Sequence, residues 1–466
     1  MHATRGQRIL GVVLFLLLAV AAIAPIRSYD FFWHLATGRW IAEHHALPAA
    51  DPFTTGSDGG GWINDEWLFD VLLHGVHSVA GFEALSLIRA LLLGALFAFV
   101  FARAARRGDP SLALLLTAVS FFAVQQQLGM RPSTAAAGLL ALAIVTIDSP
   151  IAFLATTIVW INIHPSAILA PLIPALRLRW RLALLAVAAL FVNPFGWRGV
   201  AAPFEVARFV AGGTFVNAEW LPSRPAEFPL LYITLAIAIG LFAVASDRRS
   251  HFWRIALIVV LAFLAIRHVR NQGLYFVALP LLVAPFVVRP LARRSRLAIG
   301  SAAMLLVAAS FVHDRHRGVD PMRFPVRVVE RLRASGLRGN IYNADQFGGY
   351  LIWSFYPERC VLTDGRNELH RAYIAEYLRA RLDGRAWKAL LREHAIDLAV
   401  DEYRVAMPVI DAATKQRKVM PASLVYWPRN EWALIAYDDV AMVFARRAAF
   451  SKEVLERWEL RGVVPD

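Results

Sequence analysis

Between Ser28 and Asp70 the chain reads SYDFFWHLATGRWIAEHHALPAADPFTTGSDGGGWINDEWLFD, in which Asp30, Glu43, Asp51, Asp58, Asp65, Glu66 and Asp70 are interleaved with Trp33, Trp40, Trp62 and Trp67. A carboxylate beside an apolar span can take a proton from a hydroxyl nucleophile, and tryptophan settles at the boundary between lipid and water. Asp30, directly after the first apolar stretch, and the pair Asp65 and Glu66 are therefore the candidate catalytic acids and bases. His34 in the same segment is a candidate substrate contact. The competing reading is a surface loop with solvated acids.

A second group could hold an anion. Arg131 in GMRPS and Arg267 and Arg270 in RHVRN close apolar stretches on the face opposite the main arginine clusters. A guanidinium offers a planar fork of donors suited to phosphate and keeps its charge at any working pH. The alternatives are lipid headgroups or pairing with acids of the first loop. Asn162 and His164 in WINIHPS end another stretch on that face; their spacing fits no metal motif, and a lone histidine at a helix end is more often structural. Glu219 and Trp220 add a carboxylate and a surface on which a sugar could stack. Further on, Gly348, Gly349, Asp364, Gly365 and Arg366 fall at turns after expected strands, either as a ligand-binding edge or as turn chemistry alone. GxGxxG is missing, so this is no dinucleotide fingerprint.

The elements that must carry these residues are mostly apolar. The 466 residues are 58% hydrophobic and 18% charged, with a mean hydropathy of +0.49, which fits a polytopic membrane protein rather than a soluble enzyme. Eleven apolar stretches read as spans, near 9–26, 83–102, 111–127, 133–147, 150–163, 167–176, 182–192, 229–246, 255–267, 274–288 and 297–312. Several fall short of the ~20 residues of a full crossing, so those around Pro165, Pro171 and Pro174 are expected to be broken or tilted. An uncleaved first span is preferred over a secretory signal, because further spans follow.

The net charge of +14 is explained by arginines beside the spans and gives no reason to expect nucleic-acid binding. Those clusters, at Arg103, Arg106 and Arg107, at Arg177 to Arg181, at Arg248 to Arg254 and at Arg289 to Arg296, mark one side as cytoplasmic. The first loop, the exceptional arginines and everything after His313 then face the other side. The acids between Val71 and His313 all lie in loops or near span ends, which counts against an ion-coupled transporter. Cys360 is the single cysteine, so no internal disulfide is available, and no Cys/His cluster has zinc spacing.

From Asp314 the composition turns soluble, and well over half of the chain's 35 acids follow. The expected domains are thus a membrane domain of 1–313, with its large first loop at 28–70, and an extracytoplasmic α/β domain of 314–466. In the latter GNIYNA, RCVLTD, IDLAVDE, WALIAYD and VAMVFAR read as strands, with helices near Tyr350, Tyr373 and Trp387 and a closing hairpin at Asp438 and Asp439.

The acid after the first span, the acidic pair in NDEWL and the extracytoplasmic C-terminal domain resemble the GT-C superfamily, multi-span glycosyltransferases that take sugars from polyprenyl-phosphate carriers. FFWHLATGRWI, DPFTT, NDEWLFD and GGYLIWSFYPERCVLTDGRNEL are similar, more narrowly, to a group of glycosyltransferase-like bacterial membrane proteins. A WWDYG-type motif is missing from the soluble domain, which makes the oligosaccharyltransferase branch a poor match. The resemblance implies about eleven transmembrane helices in a bacterial inner membrane, with a cytoplasmic N-terminus. It implies a polyprenyl-phosphate-linked sugar as donor and a glycan, lipid or protein as acceptor. The implied reaction is an inverting displacement, with Asp30 or Glu66 as base and Arg131, Arg267 or Arg270 at the phosphate. A divalent ion, Mg or Mn, bridging Asp30 and phosphate is compatible with it and not required. The alternative readings are a translocation or assembly component of the envelope without chemistry of its own, and a degenerate member of the fold whose soluble domain recruits partners.

Overall fold

The structure, a computed structural model, describes residues 5–213, 218–312, 314–410 and 416–463; His313 lies outside them, as do residues 214–217 of the stretch 193–229, which the sequence suggests is one long loop but which contains the helix Trp197–Ala211. It divides into two compact units, Met1–Ser28 with Ile63–Gly318, and Tyr29–Trp62 with Val319–Asp466.

The first unit is helical because its sequence is apolar on every face for a helix turn at a time. Every one of the expected stretches falls on helix: Arg5–Ala21, Trp67–Ala105, Pro110–Val124, Pro132–Thr146, Pro150–Ile161, the short Pro165–Leu169 and Leu172–Leu176, then Trp180–Leu190, Pro229–Val244, Arg248–Arg267, Gln272–Val283 and Arg293–Ala309. Proline opens five of them, at Pro110, Pro132, Pro150, Pro165 and Pro229, where its missing N–H has no intrahelical partner to lose. Gly81, at φ 72°, breaks Trp67–Ala105 into two pieces. Two helices, Trp67–Ala105 and Arg248–Arg267, are long and apolar enough to cross a membrane, and the other apolar helices run to 10–17 residues. A helical domain is thus established, whereas eleven full crossings go beyond the helix lengths.

One buried cation pins the ends of two helices in this unit. Arg89 donates from Nε to the Leu128 carbonyl at 2.7 Å, from Nη1 to Ala22 at 2.9 Å and from Nη2 to Gln125 at 2.8 Å. Those carbonyls follow or end helices, where acceptors lack intrahelical donors, and the fork of a guanidinium reaches all three. Sequence reading passed over Arg89 because it sits inside an apolar run.

The second unit holds a four-stranded sheet. In chain order its strands are β1 (Asn340–Asn343), β2 (Ile396–Glu402), then the separate pair β3 (Ala406–Ile410) and β4 (Arg417–Pro421), and finally β5 (Trp432–Tyr437) and β6 (Ala441–Arg446). The sheet order is β1-β2-β6-β5, with β1 parallel to β2 and the other pairings antiparallel. The parallel pair needs a crossover, supplied by Gly348–Phe355, Arg371–Ala380 and Gly384–Glu393, the three helices expected near Tyr350, Tyr373 and Trp387. The β5–β6 hairpin turns at Asp438, whose Oδ1 accepts from the N–H groups of Val440 and Ala441 at 2.9 Å each.

Three expectations are corrected here. RCVLTD is no regular strand; Val361 makes only isolated bridges, to Ile341 on one side and Thr54 on the other. Phe31–His44, expected as loop, is a helix with its first eight residues buried, and β3–β4 was not expected at all. The 28–70 segment is also not one loop of the membrane domain. Residues 29–62 fold with the C-terminal unit, because Thr55 N–H donates to the Val361 carbonyl at 2.9 Å and Val361 N–H to the Phe53 carbonyl at 3.2 Å. Asp58 accepts from the N–H groups of Arg371 and Ala372 at 3.2 and 3.0 Å, capping the helix that begins there.

Candidate active site

In the first unit the end of the acidic segment meets the end of another helix. Trp67 donates its indole N–H to Asn162 Oδ1 at 2.9 Å, and Asn162 Nδ2 donates to the carbonyls of Ile158 and Val192, each at 2.8 Å. Asn162 thereby fixes its own helix end, the start of Trp67–Ala105 and the second residue after Trp180–Leu190. Asn64 and Asp70, both buried, bond to each other at 2.8 Å and hold the turn that presents Asp65 and Glu66. Asp65 and Glu66 themselves are half-buried.

This turn brings Glu66 to His164: Oε1 and Nε2 lie 3.7 Å apart, with side chains 18% and 11% exposed. His164 caps Pro165–Leu169 by accepting the Ser166 N–H at Nδ1, 3.1 Å away. An Nδ1 that accepts puts the proton of a neutral ring on Nε2, the nitrogen turned toward Glu66. Glu66 from the first loop and the pair Asn162 and His164 from WINIHPS are thus one assembly in this unit.

A second assembly in the same unit gathers most of the cations. Arg131 and Glu219 form a two-pronged ion pair, Nη2 to Oε2 at 2.9 Å. Arg131 is therefore committed to a carboxylate, and that partner comes from the 193–229 loop, not from the first loop. Arg270 lies 4.5 Å from the centre of the Trp220 ring, so a cation already uses the surface expected to stack a sugar. His268 holds the Trp220 carbonyl at 2.7 Å through Nδ1, a contact with no signal in the sequence. Arg267 is exposed at the end of its helix. Among the described residues no carboxylate pairs with Arg267 or Arg270.

Asp30 and His34 belong to the second unit. His34 is buried, its ring 3.5 Å from the Trp33 ring centre to centre. Asp30 precedes the Phe31–His44 helix without capping it through its side chain, and its Oδ1 stands 3.0 Å from where a Cβ on Gly365 would be. Gly348 and Gly349 serve packing: a Cβ would come to 2.1 Å from the Thr363 carbonyl oxygen at the first and 3.0 Å from that of Tyr29 at the second.

Asp364 and Arg366 form a buried clasp. Arg366 Nε donates to Asp364 at 2.9 Å, and Nη2 reaches Asp364 as well as Asp51 Oδ1 at 3.0 Å. His370, also buried, holds the Arg366 carbonyl at 3.0 Å through Nδ1 and the Thr54 hydroxyl at 2.8 Å through Nε2, and Thr54 donates to Asp51. Burial alone would raise the Asp364 pKa, but the Arg366 charge and hydrogen bonds hold it below the usual carboxylate range. For Asp364 and Arg366 the structural reading therefore prevails over a ligand edge.

Burial, with Asp364 and Asp30 close by, pushes the Asp345 carboxyl up to about 8. Its folded value exceeds the unfolded one, so the folded state holds the extra proton between those values and stability falls as pH rises through that window. Asp345→Asn keeps the shape and removes the ionisation. It is expected to melt higher than the wild type by the equivalent of about 1–3 kcal/mol near pH 9 and to differ little near pH ~3.5, below the unfolded carboxyl's pKa. Thermal melts of the full chain at both pH values measure it; equal shifts at the two would contradict it.

Among the described residues no group of three or more His, Cys, Asp or Glu side chains is placed to hold a metal ion, so no step below runs through the divalent ion that the sequence resemblance allowed.

No protein-family model matches the sequence, and no curated protein matches it. Solved structures do match in fold. The archaeal oligosaccharyltransferase AglB from Archaeoglobus fulgidus, in complex with an inhibitory peptide and a dolichol-phosphate, superposes with a TM-score of 0.55 at 10% identity, over 90% of this chain and 75% of that one. The Archaeoglobus fulgidus oligosaccharyltransferase in its apo form gives 0.57 at 9%, over 86% and 70%. The arabinofuranosyltransferase AftD from Mycobacteria gives 0.50 at 14%, over 96% of this chain and 40% of that one. At 9–14% identity these likenesses are of fold, and they include an oligosaccharyltransferase although a WWDYG-type motif is missing from this chain.

Proposed function

We propose that this protein is an integral-membrane glycosyltransferase that moves a sugar from a polyprenyl-phosphate carrier to a hydroxyl of an extracytoplasmic glycan, lipid or protein. The observation that carries this reading is the half-buried Glu66 carboxylate set 3.7 Å from His164 on a turn fixed by Asn64, Asp70, Trp67 and Asn162. Placing a base on a rigid support is what proton transfer in a transition state requires. The fold shared with AglB and AftD supports the reaction class.

In the proposed step Glu66 takes the proton of the acceptor hydroxyl, and the freed oxygen bonds to the anomeric carbon from the face opposite the phosphate. The bond from that carbon to the phosphate oxygen breaks, its electron pair leaves with the phosphate, and the configuration inverts. His164 orients Glu66 and receives part of the charge. Arg267 and Arg270 bind the departing phosphate, where fixed cations stabilise charge as it develops. Arg131 acts one step back, through Glu219, in holding the Trp220 loop. The membrane placement, with about eleven crossings and both Glu66 and the C-terminal unit outside, belongs to the same proposal.

The test is transfer of a radiolabelled sugar from a polyprenyl-phosphate donor by the purified full chain. Arg270→Ala is expected to retain the fold, judged by an unchanged melt, and to lose on the order of 10²-fold in transfer together with retention of polyprenyl phosphate in mass spectrometry. Unchanged transfer and lipid retention would remove the phosphate role. A wild-type chain that transfers no sugar, yet whose loss still disrupts the envelope, would favour the assembly-component reading.

A further inference from the structure

The helices Arg5–Ala21 and Trp67–Ala105 pack tightly at one end and part at the other. At the tight end a Cβ on Gly94 would lie 2.8 Å from the Ala19 side chain and 2.9 Å from the Phe15 carbonyl oxygen. Toward the start of the first helix, Gly11 has nothing within 4 Å of its Cβ position, and a cleft of about 340 Å³ opens. Its walls are Gly11, Val12 and Phe15 on one helix and Ala98, Phe101 and Ala102 on the other, and Arg8 and Arg106 line it as well.

We infer that this cleft binds an anionic phospholipid of the surrounding bilayer, with an acyl chain between the helices and its phosphate between Arg8 and Arg106. The walls are hydrocarbon and aromatic, which suits a chain and offers nothing to a free polar solute. Charge selects the headgroup. Among the described residues no carboxylate pairs with Arg8 or Arg106, and Arg103 and Arg107 lie within a turn of Arg106 on either side. Asp109, the nearest acid in sequence, is turned away: its Oδ1 accepts from Ser111 and Leu112 N–H at 2.9 and 3.1 Å, and its Oδ2 from Leu291 N–H at 3.1 Å. A cation pair at the mouth of an apolar cleft, with no internal counter-ion, matches a phosphate diester on an acyl chain.

The inference rests on the membrane placement proposed above and not on the transfer chemistry, so the two fail separately. The experiment takes the full chain in detergent, stripped of lipid, and titrates it with phosphatidylglycerol or with phosphatidylcholine, counting bound lipids by native mass spectrometry. The wild type is expected to retain one phosphatidylglycerol in preference to phosphatidylcholine. Arg8→Ala with Arg106→Ala should weaken phosphatidylglycerol retention on the order of 30-fold and leave phosphatidylcholine unchanged. Gly11→Leu fills the cleft and should remove the retained lipid of either kind. Equal retention of both lipids by the wild type, or undiminished phosphatidylglycerol on the double variant, overturns the inference, as does retention of inorganic phosphate alone at the same site. Because the arginine variants alter exposed side chains, they keep the test decisive even where Gly11→Leu disturbs helix packing.

Discussion

Glu66→Gln is expected to lower sugar transfer by about 10²- to 10⁴-fold, the usual contribution of a positioned base, while leaving insertion and melting temperature close to wild type. The amide keeps the volume and one carbonyl oxygen, so the half-buried turn retains its packing, but it cannot take a proton at neutral pH. His164 separates a catalytic role from a structural one. If the imidazole only caps Pro165–Leu169, His164→Asn preserves an acceptor for the Ser166 N–H and transfer with it. If it orients and stabilises Glu66, His164→Asn lowers the rate constant more than the KM and shifts the pH profile of the reaction. Asp30→Asn is the necessary comparison, since Asp30 shares its surroundings with Asp345. An inactive Asp30→Asn beside an active Glu66→Gln would transfer the base role to Asp30, and full activity in both would end the enzymatic reading.

The sequence made the helices legible because long apolar runs have few other solutions, and prolines at their starts marked the ends. The β5–β6 hairpin was legible for a similar reason: alternating apolar runs on either side of Asp438 and Asp439 leave the chain little choice but to turn. The failures share a cause in partners far away in sequence. RCVLTD has the composition of a strand, yet its neighbours are Ile341 and Thr54, and nothing local shows that a segment near residue 54 occupies its open side. Phe31–His44 looked like loop because acids and tryptophans flank it; packing against the helix Gly348–Phe355, where Gly349 lies against Trp33, rather than intrinsic propensity, makes it a helix. In the candidate site the residue types of Glu66, Asn162 and His164 were readable, whereas their pairing was not, since it depends on how one helix end meets the start of another. Arg131 was singled out for breaking the charge pattern, and that signal was real; its solution is Glu219, supplied by a loop with no recognisable motif.

Arg366→Ala is expected to cost about 3–5 kcal/mol of stability, the range for breaking a buried ion pair by removing one partner. The guanidinium is 2% exposed and serves two carboxylates, Asp364 at 0% and Asp51 at 1%. Its charge also lies 4.5 Å from the Trp62 ring centre, 5.4 Å from Phe53 and 5.6 Å from Trp33. Burial works against the Arg366 charge, but Asp364 and Asp51 outweigh it and raise its pKa. Taking the cation away leaves two acids in an apolar cage with His370 and Thr54 as their remaining help, and residues 51–62 lose their hold on the C-terminal unit's 364–370 turn. Arg366→Lys should recover only part of the loss, because an ammonium cannot reach both carboxylates with a planar fork. Replacing the whole set, Asp51→Asn, Asp364→Asn and Arg366→Met together, should cost less than Arg366→Ala alone, since no uncompensated charge remains. The pH dependence has a fixed sign. Asp364 is held below its unfolded pKa, so the stability it contributes is present above the ordinary carboxylate range and is lost as pH falls through the lowered value. Thermal melts of the full chain, read together with the rate of proteolytic cutting within residues 45–62, measure all three variants. A triple variant as damaged as Arg366→Ala would mean that shape, and not charge, holds this segment in place.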